Sequence, residues 1–415
     1  MYKEYLLKGS GGLLTALNAN GHWVSTVNSD MSALKNNQPH YCPDCGGPLI
    51  LKAGTMRIPH FAHYRLSNCQ SSFSEGESFQ HLLGKIHLYS FFRKQGYTVS
   101  IEPFVKEIRQ RPDLLLKTKH GDYAIEYQCS PISAKLLLER SSGYESAGLS
   151  PVWIAGGLPF AKKSRSGTFM LSEFHWLLAR TRLQSSLASY CSDSRSFHFL
   201  FPILPITSRK AAGFLRTVRL NDARMSSLLA DYPQKRLMSR WRDEQDKWLE
   251  QKLIYGNMKD PFIQSVYESG QNGRLLPPEI GIPVSHMESV AEPPIVWQFY
   301  MWADCFRFLK AGDYLPSEEV GARMRGRAKK GHIRFRSGRF PDLWPFKPYL
   351  EALCMFGFFS RMRNGTFRMN KSLSFPNNME ECKQMHRSFR GQDSITFQCS
   401  EYKTLEGFLL ERQDF

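Results

Sequence analysis

The spacing of apolar and polar positions changes period several times along the chain, and each change marks an element. From Phe79 onward, apolar residues recur at helical spacing at Leu82, Leu83, Ile86 and Tyr89. The stretch 74–95 therefore reads as a helix facing a core, with Ser74 as its cap and Glu77 three residues on. Residues 98–105 read as a strand. Asp113 then opens a short apolar run at 114–116, a polar turn follows at 117–121, and 123–128 alternates. Strand side chains alternate with period 2, so Tyr123, Ile125 and Tyr127 share one face and Ala124, Glu126 and Gln128 the other. Residues 131–144 return to helical spacing, and 151–155 form an apolar run of buried-strand length. Helix, strand, strand, strand, helix, strand is the order of a three-layer α/β sheet.

The flanking patterns are different. Residues 1–41 read as short strands around a turn at 18–21. Downstream, 173–188 looks helical, 197–206 is a strand pair broken by prolines, and 210–256 is rich in helix and in basic residues. Residues 268–294, rich in Gly, Pro and Ser, read as a linker. Beyond it come helices at 295–311, 316–325 and 348–359, then a hairpin turning at Asn364-Gly365. Three helices and a β-ribbon make the layout of a winged helix. The expected division is 1–70, a zinc-ribbon-like β module; 71–190, the α/β domain; 191–290, mainly helix and linker; 291–375, the winged-helix-like module; and 376–415, a polar tail.

Charge changes the picture more than composition does. Lys and Arg number 55 against 38 Asp and Glu, a formal excess of 17. Such an excess favours a polyanionic partner, nucleic acid ahead of membrane. No apolar run approaches a bilayer span, and the N-terminus lacks a signal-peptide pattern, so a cytoplasmic location is expected. The nine cysteines are an odd number with one CxxC, which suits a reducing compartment and one metal site.

Three groups of residues carry candidate chemistry. Cys42 and Cys45 form a knuckle, and with His60 and His63 they make a tetrahedral Zn²⁺ set; the short HxxH spacing leaves Cys69 or His40 as alternatives to one His. A hairpin turn brings Asp113 beside Glu126 and Gln128, and converging carboxylates suit a hard cation such as Mg²⁺ or Mn²⁺. Third come the cations: Arg323, Arg325, Arg334, Arg336 and Arg339 cluster around Phe335 and suit phosphate contact and stacking. Arg140, four residues before Tyr144, could meet a phosphate or form a structural ion pair.

Pro112-Asp113, a hairpin and then Glu126-Tyr127-Gln128 resembles the PD-(D/E)XK nuclease superfamily, with Gln128 where that motif usually has Lys. The wider pattern ESFQH…GK…RPDLLL…YAIEYQCSPIS…ER…Y…VWI, with CPDCGGPL…PHFAH upstream, resembles the competence protein CoiA family over residues 1–160. The resemblance implies a restriction-endonuclease-like αβα domain and a factor acting on incoming DNA, single-stranded or in recombination intermediates, during natural transformation. It implies a catalytic role for Asp113, Glu126 and Gln128, an acidic contribution from Glu77 on the first core helix, and a cationic one from Lys85 or His81. The Gln128 departure puts activity rather than fold in question. The alternatives are an inactive nuclease fold that bridges single-stranded DNA to a recombinase, and a zinc-containing winged-helix regulator.

Overall fold

The computed structural model describes residues 12–54, 58–64, 69, 78–119, 121–158, 167–180, 186–223, 234–336 and 345–389. The chain divides into two units. Met1–Pro159, Ala188–His198 and Thr217–Arg224 make the first; Phe160–Leu187, Phe199–Arg216 and Met225–Phe415 make the second.

The first unit opens with β1 (Gly12–Leu13), β2 (Thr15–Leu17), β3 (Trp23–Ser25), α1 (Met31–Asn36), β4 (His40–Tyr41), β5 (Pro48–Lys52) and β6 (His60–His63). These six strands form an antiparallel sheet in the order β1-β6-β5-β4-β2-β3. Its small core holds Leu13, Ala16, Leu34, Leu49 and Phe61 together with Cys42 and Cys69. So few apolar residues leave the module in need of a further staple.

Next come α2 (Phe79–Lys94), β7 (Thr98–Ile101), β8 (Leu114–Thr118), β9 (Gly121–Gln128), α3 (Ala134–Ser146) and β10 (Leu149–Gly156). The expected helix–strand order is present. The cap of α2 is Ser78, whose side chain accepts from the His81 amide, in place of Ser74, which lies outside the described residues. Phe79, expected on the buried face, is exposed, while Gly84 and Lys85 are buried. The reason is a close approach: a Cβ on Gly84 would stand 2.0 Å from the Tyr127 ring. Only glycine lets β9 lie that near the helix. Antiparallel pairing joins β7 to β8 and β8 to β9, whereas β10 runs parallel to β9, with α3 spanning the crossover. The centre of β9, from Ala124 to Tyr127, is buried on both faces, as a covered sheet requires.

The chain continues through β11 (Thr168–Met170), α4 (Glu173–Arg180), β12 (Leu187–Cys191), β13 (Ser196–Pro205) and β14 (Lys210–Arg219). Within the first unit β12 pairs parallel with β10. In the second unit β11 lies antiparallel beside β14. Three expectations change here, and the first is that the strand pair expected at 197–206 is the single strand β13. The helix foreseen at 173–188 ends at Arg180 and a strand follows from Leu187, and the start of the expected helix-rich stretch is β14. Its KAAGFLRTVR carries a central glycine and the strand formers Phe214, Thr217 and Val218, which suit strand pairing better than a helix face.

The second unit adds α5 (Gln234–Tyr255), α6 (Pro261–Glu268), α7 (Pro294–Met301), β15 (Tyr314–Pro316), α8 (Ser317–Lys329), α9 (Phe346–Met355), β16 (Phe359–Arg361), β17 (Thr366–Met369) and α10 (Met379–Phe389). A π-turn at Trp302–Phe306 extends α7. The stretch 268–294, expected as a linker, contributes Leu276, Ile280, Ile282, Val284 and Val290 to the core. Its Gly and Pro residues prevent a long helix, and part of its backbone is satisfied by side chains. The Gln298 amide accepts from Gly281 N at 2.6 Å and Ile282 N at 2.9 Å and donates to Ile282 O at 2.8 Å. Buried coil is tolerated when its polar groups are paired in this way. At the end of the unit, β16 and β17 form the expected antiparallel hairpin, with β15 on the other side of β17. Asn364 and Gly365 have φ of 58° and 70°, the left-handed values a tight hairpin turn demands. No helix among the described residues is long and apolar enough to cross a membrane.

Candidate metal cluster and carboxylate site

The first unit carries two concentrations of chemistry. In the N-terminal sheet, Cys42, Cys45, His63 and Cys69 each aim a ligand atom at a common point, all four atoms lying within 4.8 Å of one another. Cys45 Sγ and His63 Nε2 are 3.5 Å apart. Bonds of about 2.3 Å to sulfur and about 2.0–2.1 Å to nitrogen, at a tetrahedral angle, would separate those atoms by about that distance. The donor set therefore fits a metal such as zinc. Burial holds His63 below the usual imidazole range, which favours the neutral ring a metal needs. Burial also pushes the Cys42 thiol up to about 12, so binding must displace its proton.

His60 is the correction. It and His63 both lie in β6, three residues apart. Period 2 puts such a pair on opposite faces of the strand. His60 Nδ1 instead meets the Ile58 carbonyl at 2.8 Å, and Cys69 completes the group of four that could hold a metal. Cys69→Ser is expected to lower the metal content of protein purified without added metal, whereas His60→Ala retains it. Elemental analysis decides, and equal metal in both variants would refute the assignment.

The second concentration lies at the β8–β9 hairpin. Leu114 pairs with Ile125, so Asp113, one residue before β8, stands opposite Glu126. Both carboxylates are buried. Asp113 Oδ2 accepts the Tyr127 amide at 2.8 Å and meets His81 Nε2 at 3.4 Å, while Oδ1 lies 3.7 Å from Lys85 Nζ. Burial alone would raise the Asp113 pKa, but His81, Lys85 and the Tyr127 N–H outweigh it and hold the group well below the usual carboxylate range. Glu126 goes the other way. Its desolvation, helped by the Asp113 charge, outweighs the Arg140 guanidinium and the Tyr144 hydroxyl, and its pKa is raised. Arg140 and Tyr144 both donate to Glu126 Oε1.

The structure sorts the other expected residues. Lys85 and His81, both on α2, reach Asp113. Gln128 Nε2 donates to the Ser130 carbonyl at 2.8 Å, a local bond at the end of β9. Glu77 lies outside the described residues. Arg140 is not held out for phosphate: besides Glu126 it donates to the Arg111 carbonyl at 3.0 Å and to Tyr144 Oη at 3.0 Å. One residue was missed by sequence reasoning. Glu102 is fully buried, and its Oε1 accepts from Lys85 Nζ at 2.6 Å. No motif marks it, since it sits just after β7 in the strand pattern.

In the second unit the basic run divides. Arg336 is fully buried over the Trp176 ring at 4.3 Å, paired with Glu173 at 3.1 Å and donating to Ser208 O at 2.6 Å. It is an internal residue, not a phosphate contact. Arg334 is more than half exposed at the edge of the same pair. Arg323 and Arg325 lie on α8, exposed with Lys329 and Lys330, and Arg323 pairs with Glu319 at 2.6 Å. Arg339 lies outside the described residues.

The profile described as competence protein CoiA, N-terminal domain, matches residues 25–72, the nuclease-like domain of CoiA matches 77–233, and the CoiA C-terminal domain matches 237–382. The competence protein CoiA of Bacillus subtilis (strain 168) is 27% identical over 355 residues, covering 84% of this chain and 94% of that protein. No solved structure matches. The first two matched regions hold the four-ligand cluster and the Asp113–Glu126 hairpin, and with all three regions matched in order along the sequence, the chain belongs to the competence protein CoiA family.

Proposed function

We propose that the chain is a divalent-metal-dependent nuclease that processes incoming DNA for recombination during natural transformation. The observation that carries this reading is the juxtaposition of two buried carboxylates, Asp113 and Glu126, with a buried lysine 3.7 Å from the first. Buried like charges need a cation or a proton to coexist. Asp113 and Glu126 would hold Mg²⁺ or Mn²⁺, with the Tyr127 carbonyl as a further ligand. The hydrogen bonds of Arg140 and Tyr144 both fall on Glu126 Oε1, which leaves its second oxygen for an ion. A bound ion would polarise the scissile phosphate and lower the pKa of a water. Lys85 takes the place of the cation that Gln128 cannot supply, and it offsets charge developing on the phosphate. Glu77 remains a proposed further acidic contributor. The order of strands and glycine-bearing hairpin supports a PD-(D/E)XK-type core. Purified protein is expected to cut DNA with Mg²⁺ or Mn²⁺ and to stop with EDTA.

A second reading keeps the fold and gives up catalysis: a DNA-binding accessory that bridges single-stranded DNA to a recombinase. It is favoured by the pairing of Glu126 with Arg140, which already neutralises one carboxylate. Both readings use a basic surface. Three helices, α7, α8 and α9, followed by the β16–β17 hairpin with β15 support a winged-helix-like module. Its phosphate contacts would come from the exposed cations of α8, Arg323 and Arg325 included, and from Arg334. DNA affinity should then fall with salt, by a log–log slope of about −0.9 per phosphate on duplex or about −0.7 on single strands. Arg325→Ala with Arg334→Ala should flatten that slope. Arg336→Ala should lower stability instead, because it removes a buried cation from Glu173 and Trp176. A slope indifferent to the first pair would make the run a solvated face.

A further inference from the structure

Two chains of buried contacts run from the N-terminal sheet to the carboxylate pair. The first passes through Glu102. Its Oε2 accepts from Leu14 N at 2.9 Å, Thr15 N at 3.2 Å and Thr15 Oγ1 at 3.1 Å, in the break between β1 and β2. Its Oε1 accepts from Lys85 Nζ, which in turn lies beside Asp113. The Glu102 amide donates to the Asp113 carbonyl at 2.9 Å. To make these bonds Glu102 holds φ at 47°, a left-handed conformation that a glutamate rarely adopts. Strain of this kind persists where the surroundings over-determine it, and it clusters at functional sites.

The second chain starts inside the metal knuckle. Asp44, between Cys42 and Cys45, pairs with Arg111 at 2.6 Å, and the Arg111 side chain is 1% exposed. Arg111 lies two residues before Asp113, and its carbonyl accepts from Arg140, the guanidinium that holds Glu126. One chain therefore ends on each carboxylate.

We propose that Glu102 and Arg111 are positioning residues through which the N-terminal module, its Cys/His cluster included, sets the geometry of the Asp113–Glu126 site. Metal in the cluster fixes Asp44, and Asp44 fixes Arg111. The backbone of Leu14 and Thr15 fixes Glu102, and Glu102 fixes Lys85. The nuclease-like region is then incomplete without the N-terminal sheet. The inference rests on the reading of Asp113 and Glu126 as an ion site. Binding of metal at the cluster and of a divalent ion at the carboxylates must then be coupled, equally in both directions.

The test uses the full chain. Mn²⁺ is titrated by calorimetry into zinc-loaded protein and into protein stripped with a chelator. Stripping is expected to weaken Mn²⁺ binding by about 5–150-fold. Arg111→Met and Glu102→Gln, each checked to keep its zinc, should show a smaller response to stripping than the wild type. A residue with only a structural role would lower the melting temperature and leave that response unchanged. Mn²⁺ affinity that ignores zinc in the folded wild type overturns the proposal. If no form binds Mn²⁺, the ion-site reading fails by itself, and hydrogen exchange decides the positioning role. In zinc-loaded Arg111→Met the amides of β8 and β9, Tyr127 among them, should exchange faster than in the wild type, and unchanged protection overturns it.

Discussion

Asp113→Asn is expected to abolish metal-dependent DNA cleavage while leaving DNA affinity nearly unchanged. The asparagine keeps the shape of the side chain and removes its charge. That charge is what the site is built to keep: His81, Lys85 and the Tyr127 amide all favour the ionised carboxylate despite its burial. An amide is a poor ligand for a hard cation beside a carboxylate. Removing one preorganised electrostatic group from a reacting centre costs about 10²–10³-fold in rate, and loss of a metal ligand should cost at least that. Affinity should survive because the exposed cations that supply it lie elsewhere in the sequence, on α8. Single-turnover cleavage of end-labelled DNA with Mn²⁺, and an EDTA control, measures the first quantity; a salt-dependent binding titration measures the second. Gln128→Lys should keep activity, since Lys85 already stands by Asp113. If neither the wild type nor Gln128→Lys cuts any form of DNA, the recombinase-bridging reading replaces the nuclease one. A variant Asp113→Asn that cuts at the wild-type rate would remove Asp113 from the site.

The second large effect concerns stability. Lys85→Ala takes the cation away from Glu102, a carboxylate with no solvent exposure, and from Asp113. Breaking a buried ion pair by deleting one partner costs about 3–5 kcal/mol, because the remaining charge stays desolvated. That is a large fraction of the stability of an ordinary domain. Urea unfolding of the two proteins, followed by a probe in the first unit, gives the difference. The double variant Lys85→Met, Glu102→Gln should recover part of the loss, since two neutral groups leave no orphaned charge at that pair. A loss below about 1 kcal/mol for Lys85→Ala would mean that the pair is solvated in the native state.

The sequence by itself determined the features whose causes are local. Period 2 and a short turn are enough to bring Asp113 across from Glu126, because both are set within one hairpin. The Asn364-Gly365 turn needed only two residues able to take positive φ. The CxxC knuckle likewise depends on neighbours in the chain. The same locality explains why Cys69 was open as a ligand while His60 was favoured. Counting residues gives spacing, but only the strand assignment of β6 says that His60 and His63 face apart. Tertiary structure decided everything whose partner lies far away. Glu102 is unremarkable in the local pattern, one residue past β7, and gains its role from Lys85, 17 positions back, and from Leu14, 88 positions back. Arg336 reads as a phosphate contact, and Arg140 as either a phosphate contact or an ion-pair partner, until burial sets Arg336 against Glu173 and Trp176 and Arg140 against Glu126. A charge run shows how many cations there are, while desolvation, which depends on packing from distant segments, chooses which of them become internal. The stretch 268–294 makes the same point. Its glycines and prolines keep it from a long helix, and polar groups from distant segments, the carboxamides of Gln298 and Gln245 and the Tyr349 hydroxyl among them, turn coil into core.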